Sequence, residues 1–300
     1  MPVSAAQGDK IPCALCGSQD GTGAVVFKPA LECEGFSFVR CKKCGLVQRN
    51  PQPDKNEIIA RYSSIYGKDY LSYEIANEEA FLKLQQLALK DAGFRQIEKK
   101  IFSNLRGLSE APDILEPAVR RPSVLDIGCA TGALLAHLRE RKWRVTGVEI
   151  SPCAQYAQKE RGLDVRTVPL EESNFPQCSF DAVLASHLIE HLNDPMSFLK
   201  EAHRVLKDGG SIFITTPNIN GFQARIFKGG WRSAIFDHLY LFSSRTLIKM
   251  LKKTGFKIKR VRTWGGLAAG TASPWLKKTA DFLAKRLNFG DVMIVNALKK

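Results

Sequence analysis

The stretch from Ser123 to Leu135 limits the possible folds more than any other part of this 300-residue chain. Val124-Leu125-Asp126-Ile127 is a short apolar run, Gly128-Cys129-Ala130-Thr131-Gly132 turns on small residues, and Ala133-Leu134-Leu135-Ala136-His137-Leu138 has helical periodicity. The pattern predicts a strand, a tight glycine turn and a helix start. Glycines at 128 and 132 let the backbone approach a ligand closely, because no Cβ intrudes and positive φ costs little. About one βα unit later, Val145-Thr146-Gly147-Val148-Glu149 reads as a second buried strand ending in a carboxylate, suited to accept hydrogen bonds from ribose hydroxyls. The spacing suits a nucleotide-like ligand, although the same turn also fits a purely structural βα connection.

A hydrophobic content of 44% allows one large α/β domain with a small appendage. No apolar run approaches the roughly 20 residues of a membrane-spanning helix. Met1 to Lys10 has no apolar signal core, so the expected location is cytoplasmic. Eight cysteines are too few and too unevenly spaced for a disulfide framework. Four of them form Cys13-Ala14-Leu15-Cys16-Gly17 and Cys41-Lys42-Lys43-Cys44-Gly45, two knuckles separated by 24 residues. In each, two thiolates can converge on one ion while the glycine supplies the turn. Cys13, Cys16, Cys41 and Cys44 are therefore expected to hold a structural Zn(2+), because four protein ligands leave no open position for catalysis. A redox dithiol fits less well, since no thioredoxin-like βαβ pattern surrounds either pair. Cys33 reads as a spare thiol.

The organisation expected along the chain is a disordered tail at 1–10, a zinc ribbon at 11–50, a helical linker and cap at 51–122, and a main domain at 123–300. Tyr62, Tyr66, Tyr70 and Tyr73 could line a ligand mouth or pack the ribbon on the next domain. Residues 75–106 read as one or two amphipathic helices, and Pro112, Pro117 and Pro122 mark a loop. Strands then alternate with helices: 145–149, 165–168, 180–185, 211–215, 256–263 and 291–298 follow the first, the last of them antiparallel. The expected fold class is α/β, a doubly wound, mostly parallel seven-stranded sheet with a small N-terminal zinc ribbon. His187-Leu188-Ile189-Glu190-His191-Leu192 follows the carboxyl end of the fourth strand, where open α/β sheets bind ligands.

These residues resemble a known family. Val124–Gly132 looks like motif I of class I S-adenosylmethionine-dependent methyltransferases, and Glu149 stands where their ribose-binding acid stands. Ser179–Leu184 is similar to their fourth-strand motif, Glu190–Pro195 to their EHxxDP segment, and Leu206–Gly210 to their LKPGG turn, with Asp208 for Pro. Asp237–Ser243 resembles the RHLxxFS segment of small-molecule methyltransferases that carry an N-terminal zinc ribbon, with Asp237 for Arg. The resemblance covers about residues 11–298 and implies a Rossmann-like methyltransferase fold using S-adenosyl-L-methionine. It implies that Asp126, Gly128 and Gly132 frame the methionine part of that cofactor, that Glu149 holds the ribose, and that Ser186 and His187 lie near the sulfonium. The family's acid near the adenine is missing, its place falling at about Pro169, so the Leu170 backbone or Glu171 would substitute. For O- or N-methylation a histidine is the natural general base, with His191 and His238 as candidates. Glu190 and His191 could instead help to bind a divalent ion, as the similar quinone-ring O-methyltransferases suggest. His137 and His203 fall in ordinary amphipathic patterns and read as structural.

The sequence does not name the acceptor, but the charge distribution bears on its class. Residues 1–220 hold 27 basic and 27 acidic side chains, while residues 221–300 hold 17 and 3, so the last 80 carry the whole net charge of +14. A solvated surface would explain this, but so would an anionic partner. Insertions near 218–243 and 266–290 would cap the substrate side. The segment 275–287 puts Leu276, Ala280, Leu283 and Leu287 on one helical face with lysines alongside, suiting peripheral contact with a membrane surface, an amphiphilic substrate or a buried lid. The expectation is a small, anionic or lipid-linked acceptor such as a sugar, a natural product or a prenyl or glycan phosphate. Nucleic acid is the competing class, an RNA base methyltransferase using the ribbon and the basic third. Against it, the charge is not in the ribbon and no base-flipping Asn-Pro-Pro-Tyr motif follows strand four. A non-catalytic cofactor-binding or adaptor protein is the third reading.

Overall fold

The computed structural model describes residues 12–18, 24–27, 36–63, 65–107, 121–265 and 273–300. The expected tail at 1–10, Cys33, Pro112 and Pro117 lie outside these residues.

Three short antiparallel strands, β1 (Ala24–Phe27), β2 (Ser37–Arg40) and β3 (Val47–Asn50), form the ribbon sheet. The helices α1 (Lys55–Ser63), α2 (Ile65–Ala92) and α3 (Phe94–Gly107) follow. Asp54 and Glu57 make a reciprocal cap at the start of α1: the Glu57 N–H donates to Asp54 at 2.9 Å and the Asp54 N–H to Glu57 at 2.8 Å. The 75–106 segment thus resolves into two helices that break at Gly93, whose φ is +90°, and the first begins ten residues earlier than expected. Of the four tyrosines expected to line a mouth or pack the ribbon, the described side chains are those of Tyr70, half-buried, and Tyr73, exposed, both on α2.

The main domain alternates β4 (Ser123–Ile127), α4 (Ala133–Glu140), β5 (Arg144–Val148), α5 (Cys153–Arg161), β6 (Val165–Arg166), β7 (Phe180–Ser186), α6 (Pro195–Val205) and β8 (Leu206–Pro217). After these come α7 (Phe222–Phe227), β9 (Tyr240–Leu241), α8 (Ser244–Lys253), β10 (Phe256–Trp264), α9 (Pro274–Leu287) and β11 (Val292–Lys299). The seven-stranded sheet has the order β10-β11-β8-β7-β4-β5-β6. Strand β11 runs antiparallel to β10 and β8, as the sequence predicts, and β7, β4, β5 and β6 pair in parallel. Every residue of β4 is buried, as befits a central parallel strand covered on both faces. Strand β6 is only two residues long against four predicted, because its neighbour at this edge, β5, ends at Val148 opposite Arg166.

Strand β9 belongs to the main chain of the large domain but completes the ribbon: Val47 pairs with Leu241 and Gln48 with Tyr240. Cys13, Leu15 and Leu46 lie in the main core beside Leu239, Tyr240 and Leu247. Phe36, Phe38 and Val47 share a second cluster with Trp231 and Leu241. The ribbon is therefore fused to the segment between β8 and α8. On the other side, α3 is fastened by Glu98, which accepts hydrogen bonds from Arg141 at 3.0 and 2.5 Å and from the Trp143 indole at 3.0 Å.

Candidate functional site

The carboxyl ends of β4, β5, β7 and β8 lie along one edge of the sheet, and the site is assembled there. The turn after β4 folds back on β5: the N–H groups of Gly128 and Cys129 both donate to Val148 O, at 2.7 and 3.2 Å. Gly128 and Gly132 have φ of +71° and +75°. A Cβ at 132 would run into the Leu163 side chain, and one at 128 would come within 3.3 Å of Leu188. Both positions therefore need glycine, for conformation and for space. Glu149 braces the same turn. Its Oε2 accepts the Ala130 N–H at 3.1 Å and its Oε1 the Ser151 N–H at 2.7 Å, which fixes the carboxylate at the end of β5.

Asp126 is 2% exposed, and its Oδ1 has no hydrogen-bond partner. Burial, reinforced by the Glu149 charge, pushes its carboxyl up to about 8. A buried acceptor left unsatisfied is costly, and a ligand that brings a donor or a positive charge relieves it. Two further acids come from α2. Glu78 accepts the Thr131 hydroxyl at 2.6 Å and pairs with Arg161 at 2.5 Å. Glu74 is pushed up by burial and then by Glu149 and Glu78, against a hydrogen bond from Tyr70. Glu74 and Glu78 were not among the residues expected from sequence. Their signal was present, two acids four apart on a helix face, but nothing local says that this face crosses the β4 turn.

Leu170 heads a short 3₁₀ turn, Leu170–Glu172, with its side chain 2% exposed in the main core, so only its backbone could meet a ligand. Glu171 is exposed beside it. Ser186 ends β7 and lines a small cavity with Thr215, Leu134 and Gln85 of α2. His187 has a φ of +51°, and its N–H donates to Thr215 O at 2.9 Å. Leu188 packs beside Gly128. The donor turn and the histidine segment are thus direct neighbours.

That segment carries a second cluster. Ligand atoms of Glu190, His191 and His238 all lie within 4.8 Å of one another. His191 Nδ1 is 2.9 Å from Asp237 O, and His238 Nδ1 is 2.8 Å from Ser233 O. A carbonyl can only accept, so Nδ1 of each ring carries the proton and Nε2 is the basic nitrogen. Glu190 is fully buried; Oε2 accepts the Thr216 hydroxyl at 2.9 Å, and Oε1 lies 3.3 Å from His187 Nδ1 without a formed hydrogen bond. Burial alone would push the Glu190 carboxyl up; His187, with His191 and His238 behind it, outweighs that and brings it to about 2. Burial, and then His191, brings His238 down to about 3, so His238 remains neutral at physiological pH. This counts against His238 as a general base and leaves it as a neutral partner of His191, their rings edge to face at 4.7 Å.

The four knuckle cysteines converge as expected. Cys13 and Cys44 sulfurs are 3.4 Å apart and those of Cys16 and Cys41 3.6 Å. Tetrahedral zinc with bonds of about 2.3 Å places its sulfurs about 3.8 Å apart, close to this arrangement. Lys253 Nζ donates to Leu15 O at 2.8 Å from α8. The ribbon also grips the segment that presents His238: Arg49 lies between the Phe36 and Phe236 rings and donates to Phe236 O at 2.6 Å, and Arg61 pairs with Asp237 at 2.7 Å. The Leu239 N–H in turn donates to Glu190 O at 2.7 Å.

Comparison with known proteins shows the family. The profile described as a methyltransferase domain matches residues 88–261, more than half of the chain. The chain belongs to the methyltransferase-domain family. The ubiquinone biosynthesis O-methyltransferase of Pseudomonas entomophila (strain L48) is 34% identical to this family member over 105 residues, 32% of this chain and 45% of the relative. Its namesake from Pseudomonas aeruginosa (strain UCBPP-PA14) is 35% identical over 105 residues, with the same shares of 32% and 45%. The match thus spans less than half the length of these curated relatives. Among solved structures, a SAM-dependent methyltransferase from Thermotoga maritima, described as a possible histamine N-methyltransferase, superposes with a TM-score of 0.49 at 22% identity. That superposition covers 73% of this chain and 99% of that one. No helix among the described residues of this methyltransferase-domain protein is long and apolar enough to cross a membrane.

Proposed function

We propose that this protein transfers the methyl group of S-adenosylmethionine to a hydroxyl oxygen of a small acceptor, anionic or lipid-linked, and that its ribbon holds a structural zinc ion. The observation that carries the reading is the contact of two unlike clusters across Leu188: carboxylates on the donor side and histidines on the other. Glu149 brings a carboxylate to this cleft, and the buried Asp126, whose raised carboxyl has an unpartnered oxygen, gives up its proton readily to a ligand bearing a sulfonium and an ammonium group. Gly128 and Gly132 provide the close backbone approach. Bound S-adenosylmethionine supplies a methyl group already activated by its positive sulfur. The chain then has three tasks: to align the acceptor in line with that methyl group, to keep water out, and to take up the hydroxyl proton. His191 Nε2 takes the proton, because its Nδ1 is committed to Asp237 O. The buried carboxylate of Glu190 stabilises the imidazolium that results. Cys13, Cys16, Cys41 and Cys44 would hold the zinc, which supplies rigidity and no open coordination position.

A second reading draws on the same donors. Glu190 Oε1 and two imidazoles with Nδ1 tied to carbonyls form a set that suits a divalent cation, which would polarise the acceptor hydroxyl. The two readings separate on added metal: turnover that rises with magnesium or manganese favours the cation, and indifference favours His191 as base.

The test of the main reading is to incubate the protein with methyl-labelled S-adenosylmethionine and fractionated cell extract. Label is expected in small polar metabolites or lipids, in an alkali-stable ether linkage. Label in RNA would support the nucleic-acid reading instead, and stoichiometric cofactor binding with no transfer would support a non-catalytic role.

A further inference from the structure

Helix α9 turns two large aromatic side chains to solvent. Ala284 faces inward, 6% exposed, with its carbonyl accepting the Thr263 hydroxyl at 3.0 Å. Trp275 and Phe282 face outward, 75% and 61% exposed. These two and Arg286 fall at i, i+7 and i+11, one stripe of the helix. Of the expected stripe through Leu276, Ala280, Leu283 and Leu287, only Leu287 is among the described side chains, and it is exposed.

Helix α7 continues the surface. The Phe222 N–H donates to Phe289 O at 2.9 Å, and the Arg225 guanidinium lies 5.2 Å from the Phe289 ring. Ile226 and Phe227 are each 54% exposed. Monomeric soluble proteins seldom leave this many large apolar side chains in solvent along neighbouring elements. The charge beside them is mostly basic: Arg225, Lys228 and Arg286 are exposed, while Lys285 pairs with Asp91 of α2. Of the three acids in residues 221–300, Asp237 pairs with Arg61, Asp291 is buried against Trp231 and Arg232, and Asp281 lies on α9 itself.

We infer that α7 and α9 form a docking surface for an anionic lipid bilayer. Aromatic side chains flanked by arginine and lysine suit the boundary between headgroups and acyl chains, where rings enter the apolar layer and cations meet phosphate. Position supports a working role. Helix α7 follows the carboxyl end of β8 and α9 precedes the amino end of β11, and Val292 pairs with Pro217, so both helices lie at the sheet edge that carries the site. Docking there would turn the acceptor mouth toward the membrane. The inference goes beyond the methyl-transfer reading and does not require it.

Flotation of the full-length protein with vesicles tests it. Binding is expected to phosphatidylcholine vesicles containing phosphatidylglycerol and not to phosphatidylcholine alone. Emission of Trp275 should shift to the blue and be quenched by brominated acyl chains, and the Trp275→Phe variant should lose that quenching. The Phe227→Ser, Phe282→Ser double variant should weaken vesicle binding at least about tenfold, the loss of two inserted rings, while S-adenosylhomocysteine binding stays unchanged. The inference is overturned if the protein stays with the buffer at low salt, if the double variant floats as well as the parent, or if bulk RNA strips the protein from the vesicles. Failure to float with cofactor binding intact would refute the surface alone.

Discussion

Asp126 sets the electrostatics of the donor cleft. In the fold it keeps its proton up to about pH 8, whereas in an unfolded chain a carboxyl loses it near 4. Stability from that difference is complete below about pH 4 and is lost as pH climbs toward 8. Thermal melts of the ligand-free protein should therefore fall in midpoint from pH 5 to pH 8, and Asp126→Asn should flatten the decline; an equal slope in both proteins would contradict the assignment. Gly132 gives a second prediction. Alanine there meets Leu163 and adopts a φ of +75°, so Gly132→Ala should cost about 2 kcal/mol in urea unfolding at unchanged m-value. At this scale much could be read from the chain alone. Asp126, Gly128, Gly132 and Glu149 form a local pattern in which each residue type has a reason within one βα unit. Glu74 and Glu78 could not be read in this way, because their role depends on where α2 lies, about 50 residues upstream of the turn they face.

The ribbon and the loop before α8 behave as one element. Strand β9 lends two residues to the ribbon sheet, and Arg49 and Arg61 hold Phe236 and Asp237, next to His238. Replacing Cys13 and Cys44 by serine should abolish zinc stoichiometry and accelerate amide exchange across 236–242, with S-adenosylhomocysteine affinity retained. Unchanged exchange in a zinc-free protein would show that the ribbon is a separate appendage. The knuckles themselves were legible, since the ligand spacing is local. Their fusion to β9 was not, because a two-residue strand has no periodicity to detect. Helix α3 tells a similar story. Burial would raise the Glu98 carboxyl, and hydrogen bonds from Arg141 and Trp143 outweigh it, so it sits below the usual range. Glu98→Ala should cost about 2 kcal/mol, since Arg141 is 39% exposed and solvent screens part of the pair. Because the folded value is the lower one, Glu98 stabilises above the unfolded carboxyl range, and its contribution disappears as pH falls through the folded value.

At the scale of the whole molecule, one sheet edge gathers the acidic donor turn, the histidine cluster, and the basic, aromatic helices α7 and α9. The alternation of strands and helices made the doubly wound sheet and its antiparallel last strand legible, because buried parallel strands read as continuous apolar runs. The charge step at residue 221 separates a charge-balanced donor part from a basic last part of the sequence. The central claim is that this edge binds S-adenosylmethionine at the Gly128–Gly132 turn with Glu149 as a ligand. Calorimetric titration of the full chain with S-adenosylhomocysteine tests it most directly. One saturable site per chain is expected, weakened at least about tenfold by Glu149→Ala through loss of a charged hydrogen bond. No saturable binding, or binding indifferent to Glu149→Ala, would contradict it.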